Sequence, residues 1–151
     1  MNKIKVCLII SILNLIFFSN NILNASSNFY IVAKVDNEII TNVDIINEIN
    51  YLTALNNDLK NIDKNSLINL AKNSLIREKV KKNEINKNLS NTVDDKILRS
   101  LIENYYKRIN LNNLDEFKKY LSAYNINLND VKEKIKIEIL WNQTVYFKYN
   151  N

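Results

Sequence analysis

The 151-residue chain is basic, with 21 lysine and arginine residues against 16 aspartate and glutamate residues, and its 46% hydrophobic content indicates a single folded domain. It contains no histidine and no glycine, which excludes Ser-His-Asp and Cys-His catalysis, histidine-ligated metals, phosphate-cradling loops and dinucleotide fingerprints. Carboxylate, lysine or tyrosine chemistry remains possible, but we expect neither an enzyme nor a cofactor or metal.

Residues 1–27 are typical of a signal peptide. Two lysine residues precede an apolar run from Val6 to Phe18, and the small residues Ala25 and Ser27 suit the −3 and −1 positions of a cleavage site. The run is too short to span a bilayer comfortably, although an uncleaved membrane anchor is the alternative. We predict an exported protein whose single mature domain, residues 28–151, makes no stable membrane insertion.

A β-hairpin is predicted at the start of the mature chain. Two short β-branched runs, Ile31–Val35 and Glu38–Ile40, flank Asp36-Asn37, two residue types that tolerate positive φ in a tight turn. Thr41 follows directly, with Asp44 three residues later, which resembles a capping box. The second strand is therefore predicted to continue into a helix.

The first two predicted helices have apolar residues at helical spacing. The first carries Val43, Ile46, Ile49 and Leu52 on one face and ends at Asn56–Asp58. The second begins near Asp63 and ends in an asparagine-rich stretch after Lys81. Its apolar face comprises Leu67, Leu70, Ala71, Ser74 and Leu75.

Three further helices complete a mainly α fold with about five amphipathic helices of about 12–18 residues. The third opens near Thr92, the fourth is capped near Asn112 or Asn113, and the fifth starts near Asn127 after a break at Tyr124–Asn127. The apolar positions of the third helix are Ile97, Leu98, Leu101, Ile102, Tyr105, Tyr106 and Ile109. Those of the fourth are Leu114, Phe117, Leu121 and Tyr124, and those of the fifth are Val131, Ile135 and Ile139.

The charged residues are interpreted as helix surface. The basic run Arg77–Lys82 indicates a solvated helix face rather than a nucleic-acid patch, so we expect no nucleic-acid partner. The acidic pairs Asp94-Asp95 and Asp115-Glu116 lie at predicted helix starts, where the macrodipole favours negative charge. Loss of the two N-terminal lysines with the signal peptide lowers the net charge from +5 to +3.

Three segments in this order resemble the N-terminal domain of the periplasmic chaperone SurA and related parvulin-type foldases. They are "VDNEIITNVD" at Val35–Asp44, "LIREKVKKNEI" at Leu75–Ile85 and "NLDEFKKYLSAYNINLNDVKEKI" at Asn113–Ile135. Asn37 and Asn125 stand where that family often has glycine. The resemblance extends over Phe29–Phe147, essentially the whole predicted mature chain.

The resemblance implies an ATP-independent periplasmic chaperone that binds unfolded exported polypeptides, chiefly outer-membrane β-barrel precursors. Such proteins continue into parvulin domains with histidine and glycine signatures, whereas this chain stops at Asn151, so no isomerase activity is carried over. Two alternatives remain: an exported scaffold protein that binds one dedicated partner or its own copy, and the front part of a longer isomerase.

Aromatic residues around the third and fourth helices are the candidate client-binding residues. Tyr105, Tyr106, Phe117, Tyr120 and Tyr124 either line a groove for unfolded segments or belong to the core. Of these, Tyr106 and Tyr120 are expected to remain accessible. Trp141 is a further candidate client-binding residue, and it either anchors the last helix or covers a surface that a further helix would fill.

Overall fold

A computed structural model of the protein describes residues 28–87 and 92–149, so the predicted signal peptide at residues 1–27 lies outside the described residues. The elements in chain order are β1 (Ile31–Val35), β2 (Glu38–Thr41), α1 (Asn42–Leu55), a 3₁₀ helix (Asn57–Asn61), α2 (Lys64–Asn86), α3 (Asp95–Arg108), α4 (Leu114–Ser122) and α5 (Leu128–Tyr149). This order confirms the predicted fold class, a mainly helical chain with a short N-terminal hairpin.

The hairpin forms as predicted. β1 and β2 pair antiparallel, with Val35 opposite Glu38 and Ala33 opposite Ile40, and a bulge lies between Ile31 and Ala33. Asp36 has a φ of 52°, so an aspartate supplies the left-handed turn conformation that glycine would usually adopt.

The predicted capping box begins α1. The Thr41 side chain accepts a hydrogen bond from the Asp44 backbone N–H at 3.2 Å, and the Asp44 carboxylate accepts one from the Thr41 N–H at 2.7 Å. Two otherwise unpaired helix-start groups are satisfied in this way. Because Thr41 is also the last residue of β2, strand and helix follow each other without a loop.

The predicted apolar face of α1 is correct at Ile49 and Leu52, which pack against buried core residues, and wrong at Ile46. Ile45 and Glu48 are buried, whereas Ile46 is 55% exposed. The rotation of α1 is fixed by the strand that leads into it: Ile40 of β2 is fully buried with Ile45 against Ala71 of α2. Packing of the neighbouring strand therefore selects Ile45 rather than Ile46 to face α2.

The predicted helix lengths are wrong for three of the five helices. α2 has 23 residues and α5 has 22, whereas α4 has only 9. Asp63 caps α2 as predicted, accepting from the N–H groups of Asn65 and Ser66 at 3.0 Å. The asparagines near the end of α2 do not stop the helix earlier, because packing against α5 stabilises this stretch and Ile85 is only 5% exposed.

α3 begins later than predicted, and its apolar face is as predicted except at Ile97. Asp94 is its N-cap and accepts from the Lys96 N–H at 2.7 Å. Ile97 is 47% exposed rather than part of the apolar face, whereas Leu98 and Ile102 are buried. The acidic pairs at the starts of α3 and α4 occupy the N-cap or the first turn, as predicted.

The break between α4 and α5 falls at Asn125, as predicted, and this residue has a φ of 57°. The Ile126 N–H donates to the Leu121 carbonyl at 3.0 Å, which closes the end of α4. Ile126 is thereby turned into the core, and α5 begins two residues later.

Two hydrophobic clusters form the core. The larger joins the end of α1 to α3, α4 and α5, with buried residues Ala54, Leu55, Leu98, Ile102, Phe117, Leu121, Ile126, Val131 and Ile135. The smaller joins the hairpin, the start of α1 and α2 around Ile40, Ile45 and Ala71. α1 contributes to both, and the charged middle of this helix lies between them.

Candidate functional site

Two cavities lie side by side where α1, α2 and α5 meet. The first, of about 420 Å³, includes Tyr124 and Ile126, and the second, of about 400 Å³, includes Tyr105 and Ile135. Four residues line both cavities: Glu48, Tyr51, Glu78 and Lys134. We call the two cavities together the Tyr51 cleft. Each lies within the range of about 300–1,000 Å³ that is usual for binding pockets.

A charged bridge across the cleft ties three helices together. The Lys134 ammonium of α5 lies 2.8 Å from a Glu48 carboxylate oxygen of α1 and also contacts the Glu78 carboxylate of α2. The Ser74 hydroxyl donates to the other Glu48 oxygen at 2.7 Å. Glu48 is only 2% exposed, so these partners offset the cost of burying its carboxylate.

Lys134 remains charged in this environment. Burial alone would lower its pKa, but the carboxylates of Glu48 and Glu78 outweigh burial and raise the pKa above the ordinary value of 10.5. Lys134 is therefore cationic at neutral pH.

Tyr51 is the central side chain of the cleft. The Lys134 ammonium lies 4.9 Å from the centre of its ring, a cation–π arrangement. Burial raises the pKa of the Tyr51 hydroxyl, and nearby Tyr105 and Glu48 raise it further, so the phenol is neutral and able to donate. The Tyr51 hydroxyl has no hydrogen-bond partner within residues 28–87 and 92–149.

Two of the predicted aromatic residues line the cleft. Tyr124 borders the first cavity and Tyr105 the second. Lys60 lies 5.5 Å from the centre of the Tyr124 ring and lowers the pKa of that hydroxyl, whereas Arg108 lies 5.1 Å from the Tyr105 ring centre. Both rings are partly buried against the larger cluster, which leaves part of each surface open.

The other predicted residues lie elsewhere. Phe117 is fully buried, so it is a core residue and not a surface for clients. Tyr106 packs against it at 6.1 Å between ring centres, and Tyr120 donates to the Ala54 carbonyl at 2.8 Å, with both tyrosines partly buried. Trp141 is partly buried on α5. None of these four lines the cleft.

Sequence reasoning missed Tyr51, Glu48 and Lys134. With α1 turned so that Ile45 faces inward, Glu48 and Leu52 follow on the inner side, and Tyr51 lies beside them. A glutamate on the inward face of a helix predicts an ion pair in the interior, since a buried carboxylate needs a cationic partner. That ion pair was not predicted because the predicted rotation of α1 placed Ile46 inside.

The basic run on α2 has a structural role that its composition did not predict. Lys79 pairs with Glu38 of β2 at 2.5 Å, and Lys81 pairs with Glu138 of α5 at 2.5 Å. These two lysines therefore connect α2 to the hairpin and to α5 rather than facing solvent alone.

A second surface feature is a group of exposed aromatic residues at the end of α5. Tyr146, Phe147 and Tyr149 are 61%, 66% and 73% exposed. The Tyr146 and Phe147 rings lie 5.8 Å apart between centres, and exposed apolar surface of this kind marks interaction sites. None of the helices within the described residues has the length and apolar character needed to cross a membrane.

Comparison with known proteins identifies the family. The family model of the SurA-like N-terminal domain matches residues 2–145. No curated protein and no solved structure is significantly similar to the chain. The matched domain is a chaperone-like module without a catalytic site of its own, and the match covers nearly all of the chain. The protein therefore belongs to the family of SurA-like N-terminal domains.

Proposed function

We propose that this protein is an ATP-independent chaperone that acts in the periplasm and holds unfolded exported polypeptides, chiefly outer-membrane β-barrel precursors, in soluble form. The observation that carries the proposal is the family match over residues 2–145. The clients, the compartment and cleavage of the predicted signal peptide are parts of this proposal. No cofactor and no covalent step are involved.

Two features of the surface support reversible capture of unfolded chains. The aromatic end of α5 offers exposed rings that bury apolar client segments, and each buried side chain of this kind contributes about 1.5–3 kcal/mol before the entropy cost of binding. The Tyr51 cleft offers an enclosed surface of mixed aromatic and charged character. Weak contacts at the α5 end and at the cleft allow an unfolded client to bind and to dissociate.

Suppression of aggregation tests the proposal. A β-barrel membrane protein unfolded in urea is diluted into buffer with and without the purified exported chain, and light scattering reports aggregation. We expect the chain to suppress scattering of the unfolded client and to show no binding to a folded soluble protein.

Variants of the α5 end sharpen this test. Tyr146→Ser with Tyr149→Ser removes exposed rings and should weaken suppression, whereas Tyr30→Ser removes an aromatic ring that is 60% exposed in the hairpin segment and serves as the matched control. Absence of suppression by a folded wild-type chain would overturn the chaperone proposal. Binding confined to one folded protein, or dimerisation, would favour the scaffold alternative.

A further inference from the structure

We infer that the first cavity of the Tyr51 cleft binds a lysine or arginine side chain of the client polypeptide. This inference rests on the proposed function, because its ligand is part of an unfolded chain. It adds a preference that apolar capture does not supply: segments with a basic residue bind more tightly than matched neutral segments.

The charges around the first cavity carry the inference. Its carboxylates are Asp44, Glu48, Glu78 and Asp130, and its ammonium groups are Lys79 and Lys134. Lys134 already contacts two carboxylates, and Lys79 is paired with Glu38 of β2. Neither lysine is therefore free to neutralise the other carboxylates of the cavity, and the cavity has an excess of negative charge.

Asp130 is the carboxylate that remains available. It is exposed in the first turn of α5, and no ion pair within the described residues includes it. Asp44, in contrast, is engaged by Thr41 at the start of α1. A cationic group that enters the cavity therefore finds Asp130 without displacing an existing ion pair.

The excess negative charge is confined to the cavity, whereas the molecule as a whole carries a positive net charge. All 16 acidic residues lie in the described part of the chain, which also contains every basic residue except Lys3 and Lys5, so this part is positively charged overall. A negative cavity in a positive molecule attracts basic side chains to one place and repels them elsewhere. Charge complementarity thus identifies the ligand group.

The shape of the cavity favours a basic side chain over a bare cation. Leu75, Tyr124 and Ile126 supply apolar walls that suit the aliphatic stem of lysine or arginine, while the charged head reaches the carboxylates. The unpartnered Tyr51 hydroxyl is available to the client backbone. No group of three metal-ligating side chains occurs in the described part of the chain, which argues against a divalent ion as the natural ligand.

Paired peptides test the inference. Two fluorescent, unfolded peptides with the same aromatic residues differ only in a central lysine or glutamine, and fluorescence anisotropy gives the Kd of each for the full exported chain. We expect the lysine peptide to bind about 2- to 5-fold more tightly, the size of a solvent-accessible ion pair, with the ratio falling as salt is added.

Asp130→Asn is the decisive variant. It should reduce the ratio of the two affinities towards one, by weakening the lysine peptide more than the glutamine peptide. The matched control is Asp115→Asn, which also alters an acid in the first turn of a helix but lies outside the cleft. Tyr51→Phe, which keeps the ring and removes the hydroxyl, should weaken both peptides equally, because the hydroxyl bonds the client backbone.

The outcomes separate the two proposals. Equal binding of both peptides, or a loss in Asp130→Asn that Asp115→Asn shares, overturns the basic-residue preference even if unfolded clients are still held in solution. Failure of the wild-type chain to bind either peptide or any unfolded client overturns the chaperone proposal and this inference together.

Discussion

At the scale of single residues, Lys134 illustrates how a buried charge acts in this fold. Its side chain is 21% exposed, and it contacts two carboxylates on two other helices. Desolvation of the ions opposes folding, while their mutual attraction supports it, so the net contribution of the bridge to stability is small. Removal of one member of the bridge destabilises the fold, because it leaves a buried charge without its partner.

Lys134→Met should therefore lower the free energy of unfolding by about 3 kcal/mol, the lower end of the usual cost because Lys134 is partly exposed. Urea unfolding followed by circular dichroism measures the change. Lys136→Met is the matched control: this residue pairs with Glu133 at the surface, and we expect a change within about 0.5 kcal/mol. Equal effects would contradict the role assigned to the bridge.

The same lysine predicts a dependence on alkaline pH. Its pKa in the folded protein is raised above 10.5, so its stabilising contribution is complete below that value and is lost as pH rises through the folded pKa. We expect the difference in unfolding free energy between the wild type and Lys134→Met to shrink as pH rises from about 10.5 upwards. A constant difference across this range would rule out the contribution.

The residues of the cleft show where sequence patterns stop being informative. Tyr124 was predicted because it lies at helical spacing near other aromatic residues, and the cavity beside it comes from three helices distant in sequence. Tyr51 was not predicted, because α1 carries apolar residues on more than one face and its packing against β2 and α2 selects between them. Rotation of a helix is a tertiary property, and the cleft depends on it.

At the scale of elements, local chemistry decides the boundaries. Thr41, Asp63 and Asn113 each satisfy backbone N–H groups within the next three residues, so the helix starts they define could be predicted from the sequence. The lengths of α2 and α5 could not, because each is extended by packing against the other. Side-chain capping acts over a few residues, whereas mutual packing depends on the fold.

Thr41→Ala should destabilise the protein by about 1 kcal/mol, because it removes the hydroxyl that accepts from the Asp44 N–H. Thr53→Ala in the same helix is the control. Its hydroxyl bonds only to carbonyls within α1, and alanine is the better helix former, so we expect a change within about 0.5 kcal/mol. Thermal or urea unfolding distinguishes the two, and a Thr41→Ala midpoint equal to that of Thr53→Ala would be evidence against the cap.

The left-handed residue between α4 and α5 gives another prediction. Asn125→Ala should lower the free energy of unfolding by about 1 kcal/mol, since this conformation brings Cβ close to the following carbonyl. Asn125→Gly should stay within about 0.5 kcal/mol of the wild type, because relief of strain is offset by greater freedom of the unfolded chain. A higher urea midpoint for Asn125→Ala than for Asn125→Gly would contradict the left-handed conformation of Asn125.

At the scale of the whole molecule, the two hydrophobic clusters are joined rather than independent. Ile45 of α1 belongs to the smaller cluster, and Ala54 and Leu55 of the same helix belong to the larger one. The Lys134 bridge adds a second connection through α2 and α5. Loss of either cluster therefore exposes part of the other.

A single cooperative unfolding transition follows from this connection. Trp141 is the only tryptophan, so its fluorescence reports the environment of α5, while far-UV circular dichroism reports all helices. We expect both signals to give the same urea midpoint, as a two-state domain requires. Separate midpoints would mean that the hairpin with α1 and α2 unfolds independently of the larger cluster.

The sequence has no glycine, and Asp36, Asn110 and Asn125 hold all the left-handed positions of the described backbone. Glycine samples more backbone conformations than any other residue when a chain is unfolded. Asparagine and aspartate narrow that ensemble while still tolerating the left-handed region. Folding therefore costs less conformational entropy at these turns than it would with glycine. Part of the stability of the protein thus comes from a more restricted unfolded state.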